Sequence, residues 1–181
     1  PFQGYIEDFR VTPEVVRYPF EPPRETLTAD GNTFLLALHD TNSSTVGGSD
    51  WTVTNGGVGP TASNFAPAPG MKSFYFNDAT NERMIFAHGG ASSVYTMGNP
   101  SNGAADNFSI QFWMWIDEDS FGANQTEIVS TYNVASGANN FRILNRSFDN
   151  KHRITRFNSN TDISAATSAL LFPVRNWIHY Y

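Results

Sequence analysis

Carboxylates, histidines and indoles are the residues of this chain that could do chemistry, and their spacing decides which chemistry. Retaining glycoside hydrolysis needs two carboxyl groups about 5 Å apart across the scissile bond, presented from one face. Asp117 and Asp119, in the run Asp117–Glu118–Asp119, share a face, but both stand at the end of a strand and no glutamate sits at the offset needed. Glu7 and Asp8 are adjacent, so a regular strand would send their carboxylates to opposite faces. Both pairs read as solvated strand ends. His39 and His179 fall on expected strands and read as hydrogen-bonded structural residues, while His88 and His152 stand at loop edges. No G-x-S-x-G elbow accompanies them, and there is no H-x-x-x-H pair or D-x-D-x-D-G loop. The chain is expected not to be an enzyme.

Saccharide binding asks for different residues: flat apolar rings against the C–H side of a pyranose, with amides and carboxylates for its hydroxyls. Gln111, Trp113 and Trp115 would supply these, with Trp51, Asn77 and Asn102 as rim candidates. The stretch that must position them is Asn107–Asp119, NFSIQFWMWIDED. From Phe108 to Ile116 every even residue is large and apolar, and the odd ones are Ser109, Gln111, Trp113 and Trp115. A period of two marks a strand, because a helix would scatter the same residues around its circumference. Burying the even residues at roughly 1.5–3 kcal/mol each supplies about 10 kcal/mol of gross apolar driving force. The odd face suits either an open ligand platform or a second interface covered by loops or a neighbouring module.

The chain has 181 residues, enough for one β-sandwich with a sizeable core. Hydrophobic residues make up 40% and aromatics 14%, too apolar for a disordered chain. The net charge of −6 and the scarcity of lysine, confined to Lys72 and Lys151, argue against phosphate backbones and anionic lipid as partners. Neither nucleic acid nor membrane insertion is expected, since no apolar run approaches the roughly 20 residues that cross a bilayer. Arg142, Arg146, Lys151, Arg153 and Arg156 read as solvated strand faces, with Asp149 and Asp162 among or beside them. The absence of cysteine excludes disulfides, thiolate metal sites and cysteine nucleophiles.

In chain order, residues 4–12 read as a strand with Tyr5, Phe9 and Val11 on one face, and Ile6 and Glu7 out of phase. Pro13 stops its ladder, and Arg24–Asn32 reads as a linker. Phe34–Asp40 is a buried strand, Trp51–Thr54 a short one, and Asn55–Gly70 has no periodicity. Ser73–Asn77 and Arg83–Ala87 are expected partners, and His88–Ala105 is a loop. Strands then follow at 126–133, 141–146 and 152–158, with 161–169 as loop or edge and a last strand from Trp177.

Several of these segments resemble, in order, the laminin-G-like branch of the concanavalin A-like jelly rolls, as found in phage virion proteins. FLLALHD with its TN loop resembles that module's opening strand, SFYFN a following strand, NFSIQFWMWID its central strand and NWIHYY its W-x-H strand. GYIEDFRVTPEVVRYPFEPP resembles the closing strand and exit of the same module, yet it comes first. The expected organisation is therefore tandem: residues 1–27 close a preceding module, and 28–181 begin the next, whose closing strand lies beyond. The resemblance implies an all-β, two-sheet antiparallel jelly-roll sandwich with little or no helix. It also implies ligand loops at the rim, where calcium can be held by loop carboxylates. Asp40, Asp78 and Asp106 sit on suitable loops, although a lone loop aspartate commonly only forms a turn.

The function so implied is that of a non-catalytic structural or adhesion module of a multi-domain phage tail, fibre or capsid-surface protein. Its partners would be other virion proteins, copies of itself and host-surface glycans, at the virion surface or extracellularly. A carbohydrate-binding module of a secreted bacterial enzyme or adhesin is the alternative. The tandem organisation predicts that the parent sequence carries a second GYIEDFR-like segment after residue 181. Sequencing across that junction checks it, and unrelated sequence there removes the basis for the boundary at 27.

Overall fold

The computed structural model describes residues 2–13, 21–30, 33, 35–38, 51–56, 60–77, 83–88, 108–116, 126–133, 138–146, 151–158, 161–167 and 175–181. Among them, in chain order, are β1 (Gly4–Pro13), β2 (Leu35–Ala37), β3 (Trp51–Gly56), β4 (Thr61–Ser63), β5 (Ser73–Phe76) and β6 (Arg83–His88). These are followed by β7 (Phe108–Ile116), β8 (Thr126–Asn133), β9 (Ala138–Arg146), β10 (Lys151–Asn158), β11 (Thr161–Thr167) and β12 (Ile178–Tyr180). The fold is all-β and every pairing is antiparallel, with no helix among the described residues.

The largest sheet has six strands in the order β12-β7-β1-β5-β4, with β2 also paired to β1. β1 is its middle. One edge runs along β7 from Gly4↔Ile116 to Pro13↔Phe108, and the other is shared by β5 over Gly4–Ile6 and β2 over Phe9–Val11. β1 is thus joined on both edges to strands drawn from 28–181, so this sheet combines strands from both sides of residue 27. The stretch expected as a linker is also fastened, because the Leu27 N–H donates to Asp8 Oδ2 at 2.8 Å.

The phase slip around Ile6 and Glu7 has a physical cause. Register against β7 shifts between Glu7 and Arg10, a bulge in which Asp8 takes φ 53°. One extra residue resets the alternation, so Ile6, Phe9 and Val11 all reach the core while Tyr5, Glu7 and Arg10 take the other face. This corrects the grouping of Tyr5 with Phe9 and Val11. Aspartate is among the residues that tolerate the left-handed region. Leu38 does not share that tolerance, yet it has φ 57° and its carbonyl accepts from the Asp8 N–H at 2.9 Å. That bond clamps the bulge against the end of β2.

β8, β9, β10 and β11 form a four-stranded meander, and β3 pairs with β6. β6 had been expected beside β5, but β5 has its two edges occupied by β1 and β4. β11 lies where loop or edge was expected and β4 in the stretch read as aperiodic, both in segments rich in Thr, Ala and Ser whose small side chains give little periodicity.

The core cluster gathers Ile6, Phe9, Val11, Leu35, Phe74, Phe76, Ile110, Phe112, Met114 and Ile116 from the large sheet with Ile143 of β9. Met84, Ile128 and Val129 pack against it, so β6, β8 and β9 all contribute side chains on that side. Phe112 is fully buried, 5.7 Å from the Phe9 ring and stacked 5.1 Å from Tyr180. Gly4 holds the start of β1 close to its neighbour, because a Cβ there would lie 2.1 Å from the Trp115 carbonyl oxygen.

Two substitutions test this packing. Phe112→Ala should cost about 3–5 kcal/mol of stability, and Gly4→Ala about 1–3 kcal/mol through forced separation of β1 from β7. Urea unfolding midpoints measure both, and an unchanged midpoint for Gly4→Ala would contradict the close approach.

Candidate functional site

The face of the large sheet opposite the core is built in rows set by register. The first row runs Tyr75, Tyr5, Trp115 across β5, β1 and β7, and Trp177 joins it just before β12. Tyr5 lies 4.9 Å from Tyr75 and 4.9 Å from Phe65, ring centre to ring centre. Phe65 meets Trp115 edge-on at 4.7 Å and Trp177 at 5.4 Å. Five aromatic side chains therefore form one cluster, each ring contact adding about 0.5–1.5 kcal/mol beyond area burial.

Phe65 reaches this cluster because the segment between β4 and β5 is tied down. Its own N–H donates to Ser63 Oγ at 3.0 Å, and its carbonyl accepts from Ser73 Oγ. Lys72 Nζ donates to Asn64 Oδ1 alongside. Phe65 nevertheless remains 41% exposed, so the cluster keeps an apolar surface facing solvent.

The second row runs Glu7, Trp113, His179 across β1, β7 and β12, and the third brings Arg10 opposite Gln111. The Trp113 and His179 rings lie 5.0 Å apart. Glu7 and Asp8 are fully buried, which overturns their reading as solvated strand ends. The bulge explains it: an irregular strand in mid-sheet turns Asp8 toward Leu27 while Glu7 stays in the row.

Burial sets the charge of these groups. Loss of solvent, reinforced by the neighbouring Asp8, pushes the Glu7 carboxyl up to about 8, and the Lys72 N–H donated to Oε1 at 3.2 Å only partly opposes it. Asp8 is raised to about 6 by the same desolvation, opposed by the Leu27 N–H and then by Arg10. Burial, and secondarily Arg10, lowers His179 to about 4. Tyr180 is pushed up to about 12 by burial. Glu7 Oε2, Asp8 Oδ1, Trp113 Nε1, Trp177 Nε1 and His179 Nε2 are buried with no hydrogen-bond partner. For His179 this departs from the expectation of a hydrogen-bonded structural residue at that nitrogen.

Of the residues singled out for saccharide binding, Gln111, Trp113 and Trp115 share this face, Gln111 buried and both indoles half-buried. Asn77 follows directly on β5, half-buried. Trp51 begins β3, in a different sheet, opposite His88. Asn102, Asp40, Asp78 and Asp106 lie outside the described residues, as do Asp117 and Asp119. No group of three or more metal-ligating side chains occurs among the described residues, and no helix there is long and apolar enough to cross a membrane. Tyr5, Phe65, Tyr75 and Trp177 were missed as partners of Trp115. Their aromatic character was visible, but nothing local says that four separate segments meet. No family model matches the chain, and no curated protein or solved structure matches it either.

The shifted groups predict a pH dependence of stability. With Glu7 and Asp8 raised, the unfolded chain ionises first, so their contribution is fully present at low pH and is lost as pH rises from about 4 through 6 and 8. His179 works oppositely, its contribution being lost as pH falls from 6.5 toward 4. Urea midpoints should therefore decline between pH 6.5 and 8, and Glu7→Gln should flatten that decline. A wild-type midpoint that rises over that interval would contradict the burial of Glu7.

Proposed function

We propose that this chain is a non-catalytic jelly-roll module, concanavalin A-like and laminin-G-like, of a multi-domain virion protein such as a phage tail, fibre or capsid-surface component. It serves assembly with other virion proteins or copies of itself, and adhesion to host-surface glycans. The observation that carries the reading is the half-buried aromatic cluster of Tyr5, Phe65, Tyr75, Trp115 and Trp177 on the sheet face away from the core. Rings braced against one another lose little freedom when a sugar stacks on them, and such rigid aromatic surface is well suited to binding.

Electrostatics support the choice of partner. A chain of net charge −6 is poorly matched to nucleic acid or anionic membrane, and well matched to neutral glycans. The non-catalytic reading draws on the spacing of the carboxylates, since neither Glu7–Asp8 nor Asp117–Asp119 presents the paired geometry of a retaining glycosidase in the sequence.

Glycan-array binding tests the proposal directly. Phe65→Ala and Trp115→Ala should each weaken the signal at least about tenfold with the far-ultraviolet β signature retained. Unaltered binding by both variants would remove the aromatic face from the site, and release of sugar from any bound glycan would overturn the non-catalytic reading. Copies fixed in stoichiometry on purified particles are expected, in contrast to a soluble secreted parent.

A further inference from the structure

The four-stranded sheet of β8, β9, β10 and β11 gathers charge by its register. Of the 11 lysines and arginines in the chain, Arg142, Arg146, Lys151, Arg153 and Arg156 all fall on β9 and β10. Ile143 is buried in the core cluster, so alternation gives the core face of β9 to Phe141, Ile143 and Asn145, and the opposite face to Arg142, Leu144 and Arg146. Pairing carries the same division onto β10. Ile154 and Arg156 stand opposite Ile143 and Phe141, while Lys151, Arg153 and Thr155 stand opposite Arg146, Leu144 and Arg142. Arg142, Arg146, Lys151 and Arg153 thus share the face away from the core, and Arg156 does not join them.

That face is laid out in three rows. The first sets Arg146 directly opposite Lys151. The second runs Glu127, Leu144, Arg153, Thr167, and the third runs Ser130, Arg142, Thr155, Ala165. Strands stand about 5 Å apart and these rows roughly 7 Å apart, so the cations occupy a strip roughly 13 Å long and one strand spacing wide. Within the three rows Glu127 is the single carboxylate. Asp162, opposite Phe157, stands one row further on, and Asp149, between β9 and β10, lies outside the described residues. Like charges set opposite each other repel, and one carboxylate offsets at most one of the cations. The strip is therefore locally positive in a chain whose net charge is −6.

Charge number and spacing select the ligand. At physiological salt, charges more than about 8 Å away are largely screened. The strip, and not the net charge of the chain, then sets the field met by a ligand lying on it. Guanidinium groups match oxyanions by two parallel N–H bonds. A nucleic-acid duplex carries one charge per about 1.7 Å and calls for an extended basic track, which a strip bounded by Glu127 and Asp162 does not offer. An acidic polysaccharide spaces its oxyanions by whole rings and carries hydroxyls between them, for which Ser130, Thr155 and Thr167 stand on the same face. We propose that the face of β9 and β10 bearing Arg142, Arg146, Lys151 and Arg153 binds an acidic polysaccharide through its carboxylate or sulfate groups. This site is separate from the aromatic face of the large sheet and does not depend on glycan binding there.

Titration calorimetry on the full chain tests it, with oligogalacturonate as the carboxylate probe and a heparin-derived oligosaccharide as the sulfate probe. A neutral dextran oligosaccharide and a single-stranded DNA oligonucleotide run beside them. One or both acidic oligosaccharides should bind more tightly than the neutral and DNA probes, and the binding should weaken as sodium chloride is raised. Combining Arg146→Gln, Lys151→Gln and Arg153→Gln should weaken it at least about tenfold. Thr155→Glu removes no cation and should weaken it too. The urea midpoint of the triple variant should be unchanged or raised, because a like-charged pair has been removed, which separates lost binding from lost folding. Trp115→Ala should leave acidic binding intact. Wild-type affinity in both the triple variant and Thr155→Glu would overturn the site. So would binding of neither acidic oligosaccharide, tighter binding of the oligonucleotide, or loss of acidic binding in Trp115→Ala.

Discussion

Most of the large sheet hangs on the bulge in β1. β1 is the strand to which β7, β5 and β2 are all bonded, and its sequence changes phase in the middle. Without the extra residue at Asp8, Ile6 and the pair Phe9 and Val11 could not face the same interior. Half the strand would then present apolar side chains to the wrong side. The left-handed turn at Asp8, bonded through its N–H to the equally left-handed Leu38, is the local conformation that reconciles the two halves. It carries a cost: a leucine in that region is disfavoured by roughly 1–2 kcal/mol. The buried apolar side chains on both sides of the bulge outweigh it.

The bulge also distributes charge. Glu7 and Asp8 are side by side where the second edge of β1 passes from β5 to β2, and both are withdrawn from water. Loss of solvent raises both carboxyls above the usual range, and for Glu7 the neighbouring Asp8 adds to it. The backbone N–H groups of Lys72 and Leu27 each satisfy one oxygen and leave the other over. The same neighbourhood keeps His179 neutral. Polar groups at a sheet centre of this kind commonly stabilise a fold less than well-packed apolar side chains of similar volume would.

The two faces of this sheet follow different physics. Toward the core, Phe112, Met114 and Ile116 are fully buried against side chains from the large sheet and β9. Toward the outside, Trp115 is neither an open platform nor a hidden residue. Phe65 and Trp177 lean on it and are themselves partly wet. The tie between the β4–β5 segment and β5 is what sets that half-covered state, through Ser63, Ser73 and Lys72.

The all-β class, the strand at 108–116 and its division into apolar and indole-bearing faces were legible in the chain alone, because period-two alternation is a local property that any pleated backbone converts into two faces. The strands β4 and β11 were not, since runs of Thr, Ala and Ser carry no such contrast. Gln111, Trp113 and Trp115 were legible as one face for the same reason. Their neighbours were not. That Glu7 stands opposite Trp113, that His179 stands on its other side, and that Phe65 closes on Trp115 are matters of register between segments more than sixty residues apart, or of a loop tied across a hairpin. Alternation determines which side of a regular strand a residue takes, as along 108–116, whereas the bulged β1 departs from it. Which residue meets it from the next strand, and whether water remains between them, was decided only when β1 came to lie between β7 and β5 with its bulge in place.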